Sequence, residues 1–221
     1  MKKIILAFSL AALSSIAAFG QTTTSDYKKG EFYVGYSNGQ VDTGVETGDS
    51  IGDFFEGRAN FHGINASGVY NVNRYFGIKG DVSATYNKTV FTSTFPDPLT
   101  GTPVTFNFRA RNSLYNVVGG VQIKDNSNEG RFKPFAHAMT GLGHARTKFT
   151  NAGCTPANPS GGCPFADSTF SSNGWAFVLG GGLDFRLNNR IQIRAVQFDY
   201  NPIRFDGATD HNLRIGAGIV F

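Results

Sequence analysis

The chain has 221 residues, among them 28 Gly, 21 Phe and 8 Tyr, and only 16% are charged. Its aromatic and β-branched content excludes disorder, and the scarcity of Leu and Ala after residue 20 excludes a helix bundle. The formal charge of +4 includes Lys2 and Lys3, and the +2 left without that pair is too weak and scattered for a nucleic-acid reader.

Lys2 and Lys3 precede an uncharged run from Ile4 to Gly20, in which Ala18 and Gly20 place small residues at the −3 and −1 positions of a cleavage site. Residues 1–20 are therefore expected to be a signal peptide cut before Gln21, leaving 21–221 as one exported domain. An anchoring helix is the competing reading. The run is short for a span, and no charged stop-transfer cluster follows it directly.

The mature chain alternates with period two. EFYVGYS presents Phe32, Val34 and Tyr36 against Tyr33, Gly35 and Ser37, and the next strand sets Ile64, Ala66 and Tyr70 against Asn65 and Ser67. FGIKGDVSATY places Phe76, Ile78, Val82 and Tyr86 opposite Lys79, Asp81, Ser83 and Thr85. SLYNVVGGVQIK presents Tyr115, Val117, Val121 and Ile123, whereas KPFAHAMTGLGHAR is strand-like without a legible face. In GWAFVLGGGLDFRL, Trp175, Phe177, Leu179, Leu183 and Phe185 oppose Gly174, Ala176, Gly180, Asp184 and Arg186. Ile191 and Ile193 oppose Gln192 and Arg194 before the phase breaks. One bulge at Ala195–Val196 would return Gln197 and Asp199 to the side of Arg194. Last, Leu213, Ile215, Ala217, Ile219 and Phe221 share one face against Asn212, Arg214, Gly216 and Gly218. That makes eight strands.

Their connections differ in length. Short turns are expected at Asn71–Arg74, Asp125–Arg131 and Leu187–Asn189, and longer loops at Gly39–Asn60, Lys88–Thr105, Phe149–Asn173 and Asn201–Asp210. Short turns at one end and long loops at the other fit an eight-stranded antiparallel transmembrane up-and-down β-barrel, an all-β fold with both termini on the periplasmic side. An eight-stranded barrel has little interior room. The Phe, Leu, Ile and Val face is therefore expected to meet lipid, and the Gly, Ser, Thr, Asn and charged face the lumen. Lys79, Asp81, Asp184, Arg186, Arg194, Asp199 and Arg214 then need partners inside. A hydrogen-bonded plug is one reading and a titrating relay or ion path the other.

Cys154 and Cys163 lie in NAGCTPANPSGGCPF, a segment unsuited to regular structure. In an oxidising compartment a disulfide is expected there. A metal site would need further ligands, and no His or Cys pattern supplies them. The four histidines, His62, His137, His144 and His211, are read as falling in different strands, with no ligand cluster and no base beside a Ser nucleophile. Gly180–Gly182 reads as close packing rather than a phosphate loop. No catalytic residue and no cofactor follow from the sequence.

Two stretches carry a family resemblance: Gly180 to Tyr200, with Asp184, Arg194 and Asp199 pointing inward, and the terminus LRIGAGIVF. They resemble the small outer-membrane β-barrel family of the OmpA transmembrane-domain and OmpX type, within the wider porin grouping. The resemblance implies an outer-membrane address, with lipid and lipopolysaccharide around a monomeric barrel and long loops outside. It also implies transient engagement of the assembly machinery by the terminal strand, Leu213 to Phe221. Two functions remain: a non-enzymatic barrel that displays its loops, where Phe54, Phe55, Phe91, Phe95 and Phe165 could anchor a surface partner or pack together, or a narrow pore. A lipid-modifying enzyme trails both.

Overall fold

The computed structural model describes residues 27–42, 58–97, 99–127, 130–155 and 167–221. Eight strands follow in chain order: β1 (Gly30–Asp42), β2 (Arg58–Asn71), β3 (Phe76–Pro96), β4 (Pro103–Lys124), β5 (Phe132–Thr155), β6 (Ser168–Arg186), β7 (Gln192–Phe205) and β8 (Ala208–Val220). Each pairs antiparallel with the next, and β8 returns to β1 to close the barrel. Backbone bonds in both directions between Phe32 and Phe221, at 3.1 and 2.8 Å, complete the seam. Closure leaves no lateral sheet edge around the wall, so its backbone polar groups pair without water.

Burial is inverted relative to a water-soluble protein. Ile64, Leu179 and Phe132 are 65–67% exposed, whereas Asp184 and Arg194 are 0 and 1% exposed. Large apolar groups outside and charges inside require an apolar surrounding solvent. The expected faces of β1, β2, β3, β4 and β6 are the ones observed. The bulge in β7 falls where the phase break puts it: Leu183 pairs with Val196 and Asp184 with Arg194, so one residue of β7 is passed over.

Short turns use asparagine to hold the chain. Asn73 Oδ1 accepts the Tyr75 and Phe76 N–H groups, and Asn188 Oδ1 those of Arg190 and Ile191, all at 2.8–2.9 Å. At the other end the strands outrun the expected loops. The β3–β4 ladder continues to Pro96↔Pro103, so most of Lys88–Thr105 is strand. On the β3 side every residue from Phe91 to Pro96 is exposed, which removes there the contrast between two solvents that would have revealed the strand. The β7–β8 connection is a two-residue turn at Asp206–Gly207, with Gly207 at φ 92°, so most of Asn201–Asp210 is strand as well.

β5 also extends through Cys154, whose backbone pairs with Phe106, contrary to the irregular segment expected there. Cys163 and the proposed bridge lie outside the described residues, as do the leader, Phe54, Phe55 and Phe165. His137 and His144 share β5, which corrects the reading of four histidines on separate strands.

Candidate functional site

The lumen holds the densest chemistry. On each strand inward positions recur every second residue, and the register stacks them into levels. Nearest the short turns, Lys124 Nζ lies 2.9–3.0 Å from both Glu31 carboxylate oxygens, 2.7 Å from Asp184 and 3.1 Å from Gln192 Oε1. Asp184 also accepts Nε and Nη2 of Arg194 at 2.8 and 3.1 Å. The Arg194 guanidinium lies over the rings of Tyr33 and Phe135, 4.4 and 4.0 Å from their centroids. Arg194 then donates to Gln197, which donates to Asp199 at 2.7 Å.

Asp199 is the hub of the next level. It accepts from His137 Nε2 and from Arg214 Nε, both at 2.8 Å, and Arg214 Nη2 lies 2.6 Å from the same carboxylate as an ion pair. Arg214 reaches across to Asp81 at 2.9 Å, and Asn65 donates to the same carboxylate oxygen. Lys79 Nζ sits 3.1 Å from His137 Nδ1. An ammonium only donates, so Nδ1 accepts and the ring proton rests on Nε2, facing Asp199. Both imidazole nitrogens are thus engaged. Four cations, Lys79, Lys124, Arg194 and Arg214, face four carboxylates, Glu31, Asp81, Asp184 and Asp199, and all eight are buried.

Six of the seven expected lumen charges belong to this network. Arg186 differs: it ends β6 half-buried at the turn-side rim, and its backbone N–H donates to Arg131. Glu31, Lys124 and His137 were missed. Lys124 was legible, since it keeps the parity opposite Ile123. His137 carried no such clue, because its outward neighbours Ala136 and Ala138 are too small to mark a face.

A second correction lies toward the long loops. Phe61, Leu114, Val118, Met139, Ala176, Val178 and Ile203 point inward and pack into one buried apolar cluster, edged by Val41, Ala59, Ala145 and Phe205. The lumen is therefore not polar throughout. An apolar layer caps the ion network, and above it opens a cup of about 280 Å³ between Phe61, Leu114, Phe205, Asp42 and Asp210. A glycine of β6 permits this packing: a Cβ at Gly174 would lie 2.8 Å from Ile203 Cγ2.

On the outer face, the terminal strand exposes Ile215, Ala217, Ile219 and Phe221 as expected, while Leu213, of the same parity, is buried. Toward the loop end three tyrosines meet histidines: Tyr36 with His62, Tyr115 with His144 and Tyr200 with His211, with ring centroids 6.0–6.2 Å apart. Tyr–His pairs at one end of an apolar band suit a membrane–water boundary. Among the described residues no group of His, Cys, Asp and Glu could hold a metal ion.

Solved structures with a similar fold include Ail, the attachment invasion locus protein of Yersinia pestis, in complex with the heparin analogue sucrose octasulfate. It is 18% identical, with 87% of this chain and 97% of that one covered at a TM-score of 0.47. Neisserial surface protein A is 12% identical over 87% and 96% at 0.46, and OprG of Pseudomonas aeruginosa 14% identical over 90% and 98% at 0.42. No curated protein sequence matches. Residues 7–221 match the outer membrane protein beta-barrel domain, and the chain belongs to that family of outer-membrane β-barrels.

Proposed function

We propose that this protein is a non-enzymatic, non-conducting outer-membrane barrel that presents its loop end for contact at the cell surface. The observation that carries the reading is a lumen filled twice over, by the ion network and by the apolar cluster above it. A water path would require Arg194 and Arg214 to leave buried carboxylates and several apolar side chains to part together, and breaking one such pair costs about 3–5 kcal/mol. A narrow pore, the competing reading, needs both layers to open at once.

Display is supported by the reach of β3, β4 and β5 beyond the aromatic boundary. Phe91 stacks on Phe108 at 4.8 Å and Phe95 on Phe106 at 4.2 Å, stiffening an extension whose Phe91 and Phe95 remain 46 and 40% exposed. In this reading the chain is exported by its cleaved leader and inserted as a monomer through its terminal strand. The loops face outward, and Cys154 and Cys163 are bridged. Planar-bilayer recordings of the purified mature chain should show a sealed membrane. Large, stable single-channel steps would overturn the reading in favour of a pore.

A further inference from the structure

The cup of about 280 Å³ above the apolar layer has one carboxylate set into an otherwise neutral wall. Phe61, Leu114, Ala145 and Phe205 form its apolar side. On β8, Asp210 pairs with Ile203, whose side chain is buried in the lumen, so Asp210 takes the inward side as well. Asp210 is half-buried. Among the described residues no hydrogen bond or ion pair reaches its carboxylate. Asp42 adds negative charge at the rim, where its carboxylate accepts the His211 N–H at 3.2 Å and its own N–H is held by Asn212 Oδ1 at 2.9 Å.

The nearby bases are turned away from Asp210. Arg111, Arg146, Lys148 and Arg204 are exposed and alternate with inward Asn112, Ala145, Thr147 and Ile203, so period two sends their side chains outward. Arg58 precedes inward Ala59, and its guanidinium donates to the Gln40 and His211 carbonyls. The loop connections supply no base either. Residues 156–166 hold no charged residue, and residues 43–57 hold Glu46, Asp49, Asp53 and Glu56 without a Lys, Arg or His. The acids that follow Asp42 in sequence favour the approach of a cation over that of an anion.

We propose that the cup binds a small organic cation, an ammonium carried on a compact apolar body, with the ammonium at Asp210 and the body over Phe61, Leu114 and Phe205. An ammonium offers donors and no acceptor, which suits a carboxylate whose oxygens are unclaimed. A neutral apolar ligand would strip water from Asp210 without replacing its hydrogen bonds, and an anion would add like charge. A bare metal ion fits no better: Ca²⁺ takes about 6–8 oxygen ligands, whereas Phe61, Leu114, Ala145 and Phe205 offer only carbon. At about 280 Å³ the cup falls just short of the ~300–1,000 Å³ of pockets for drug-sized ligands, so the body is a single ring or a short chain. The site lies on the loop side of the apolar layer, so occupying it requires no opening of the lumen.

The test uses the mature full chain in phosphatidylcholine nanodiscs, with empty discs as the blank for partition into lipid. The probes share one phenyl body: phenethylammonium, neutral 2-phenylethanol and anionic 3-phenylpropionate. Phenethylammonium should give saturable amide chemical-shift changes at Leu114, Ala145 and Asp210, the alcohol should bind about 10-fold more weakly, and the acid should not bind. Asp210→Asn should lower the affinity for the amine to that for the alcohol. The variant keeps the side-chain shape and removes a carboxylate that holds no hydrogen bond, so the barrel should stay folded. Equal affinity of wild type for amine and alcohol overturns the proposal without any variant and leaves the cup a plain apolar pocket. Failure of all three probes to bind overturns it too, as does unchanged amine binding by Asp210→Asn. Ca²⁺ alone moving the same amides at lower concentration than the amine would assign the carboxylates to a metal ion instead. Binding is read without current, so its failure leaves the sealed-lumen reading untouched.

Discussion

Replacing Asp184 with Ala tests the lumen network at the carboxylate that holds both Lys124 and Arg194. Asp184 is fully buried and accepts three hydrogen bonds, two from Arg194 at 2.8 and 3.1 Å and one from Lys124 at 2.7 Å. Its loss affects the two cations unequally. Lys124 keeps the bidentate contact with Glu31 and the Gln192 bond, whereas Arg194 loses its carboxylate and keeps Gln197 and the Tyr33 and Phe135 rings. Leaving a buried charge without its partner costs about 3–5 kcal/mol. The residual ring and amide contacts place Asp184→Ala near the lower figure, about 3 kcal/mol. Urea titration of the protein folded in lipid vesicles, followed by Trp175 fluorescence, should show the midpoint falling with an unchanged slope. Bilayer conductance should stay at baseline, because the Phe61–Ile203 layer is untouched. The companion Asp184→Ala/Arg194→Met, which removes both charges, should recover part of the loss. A single variant within about 1 kcal/mol of wild type would refute the reasoning, since a pair worth so little cannot hold the lumen shut.

Arg at Leu179, which is 65% exposed midway along the apolar part of β6, should cost roughly 2–4 kcal/mol in the same titration. Arg at Leu183, three residues from the end of the strand, should cost less, and the reverse order would misplace the membrane midplane. Deleting Phe221 should lower the amount of inserted protein measured in outer-membrane fractions, because two backbone bonds closing β1 onto the terminus are lost together with the terminal aromatic. At the turn end, the Arg74 guanidinium and then the Ser127 N–H hold the Asp125 carboxyl below its usual range. A lowered folded-state pKa gives stability that is present above the unfolded value of about 3.9 and lost as pH falls through the folded one. For so exposed a pair the effect is under about 1 kcal/mol, so wild type should lose its advantage over Asp125→Asn only below about pH 4. Thiol labelling of the unreduced, denatured chain should leave Cys154 and Cys163 unmodified; labelling of both would exclude the bridge.

The order and pairing of the strands were legible because each strand of the wall divides two unlike solvents, so a polar–apolar period of two is written along it. The same contrast exposed the bulge at Ala195–Val196 and the inward side of Lys79, Asp81, Asp184, Arg194, Asp199 and Arg214. Where the contrast disappears, so does legibility. The outer end of β3, Phe91 to Pro96, is exposed on both faces and read as a loop. In β5, small and apolar residues fill both faces around His137, and neither face could be named. Parity also says only that a residue points inward, not what it meets there. Phe61, Leu114, Met139 and Ile203 come from four strands, and their meeting in one apolar layer depends on how those strands are staggered around the barrel. The same stagger brings Lys79 to His137 and Arg214 to both Asp81 and Asp199. Alternation is a local property, fixed by the residues of one strand and the solvents on its two sides. The levels of the lumen are set by hydrogen-bond register across eight strands, and only the closed barrel determines it.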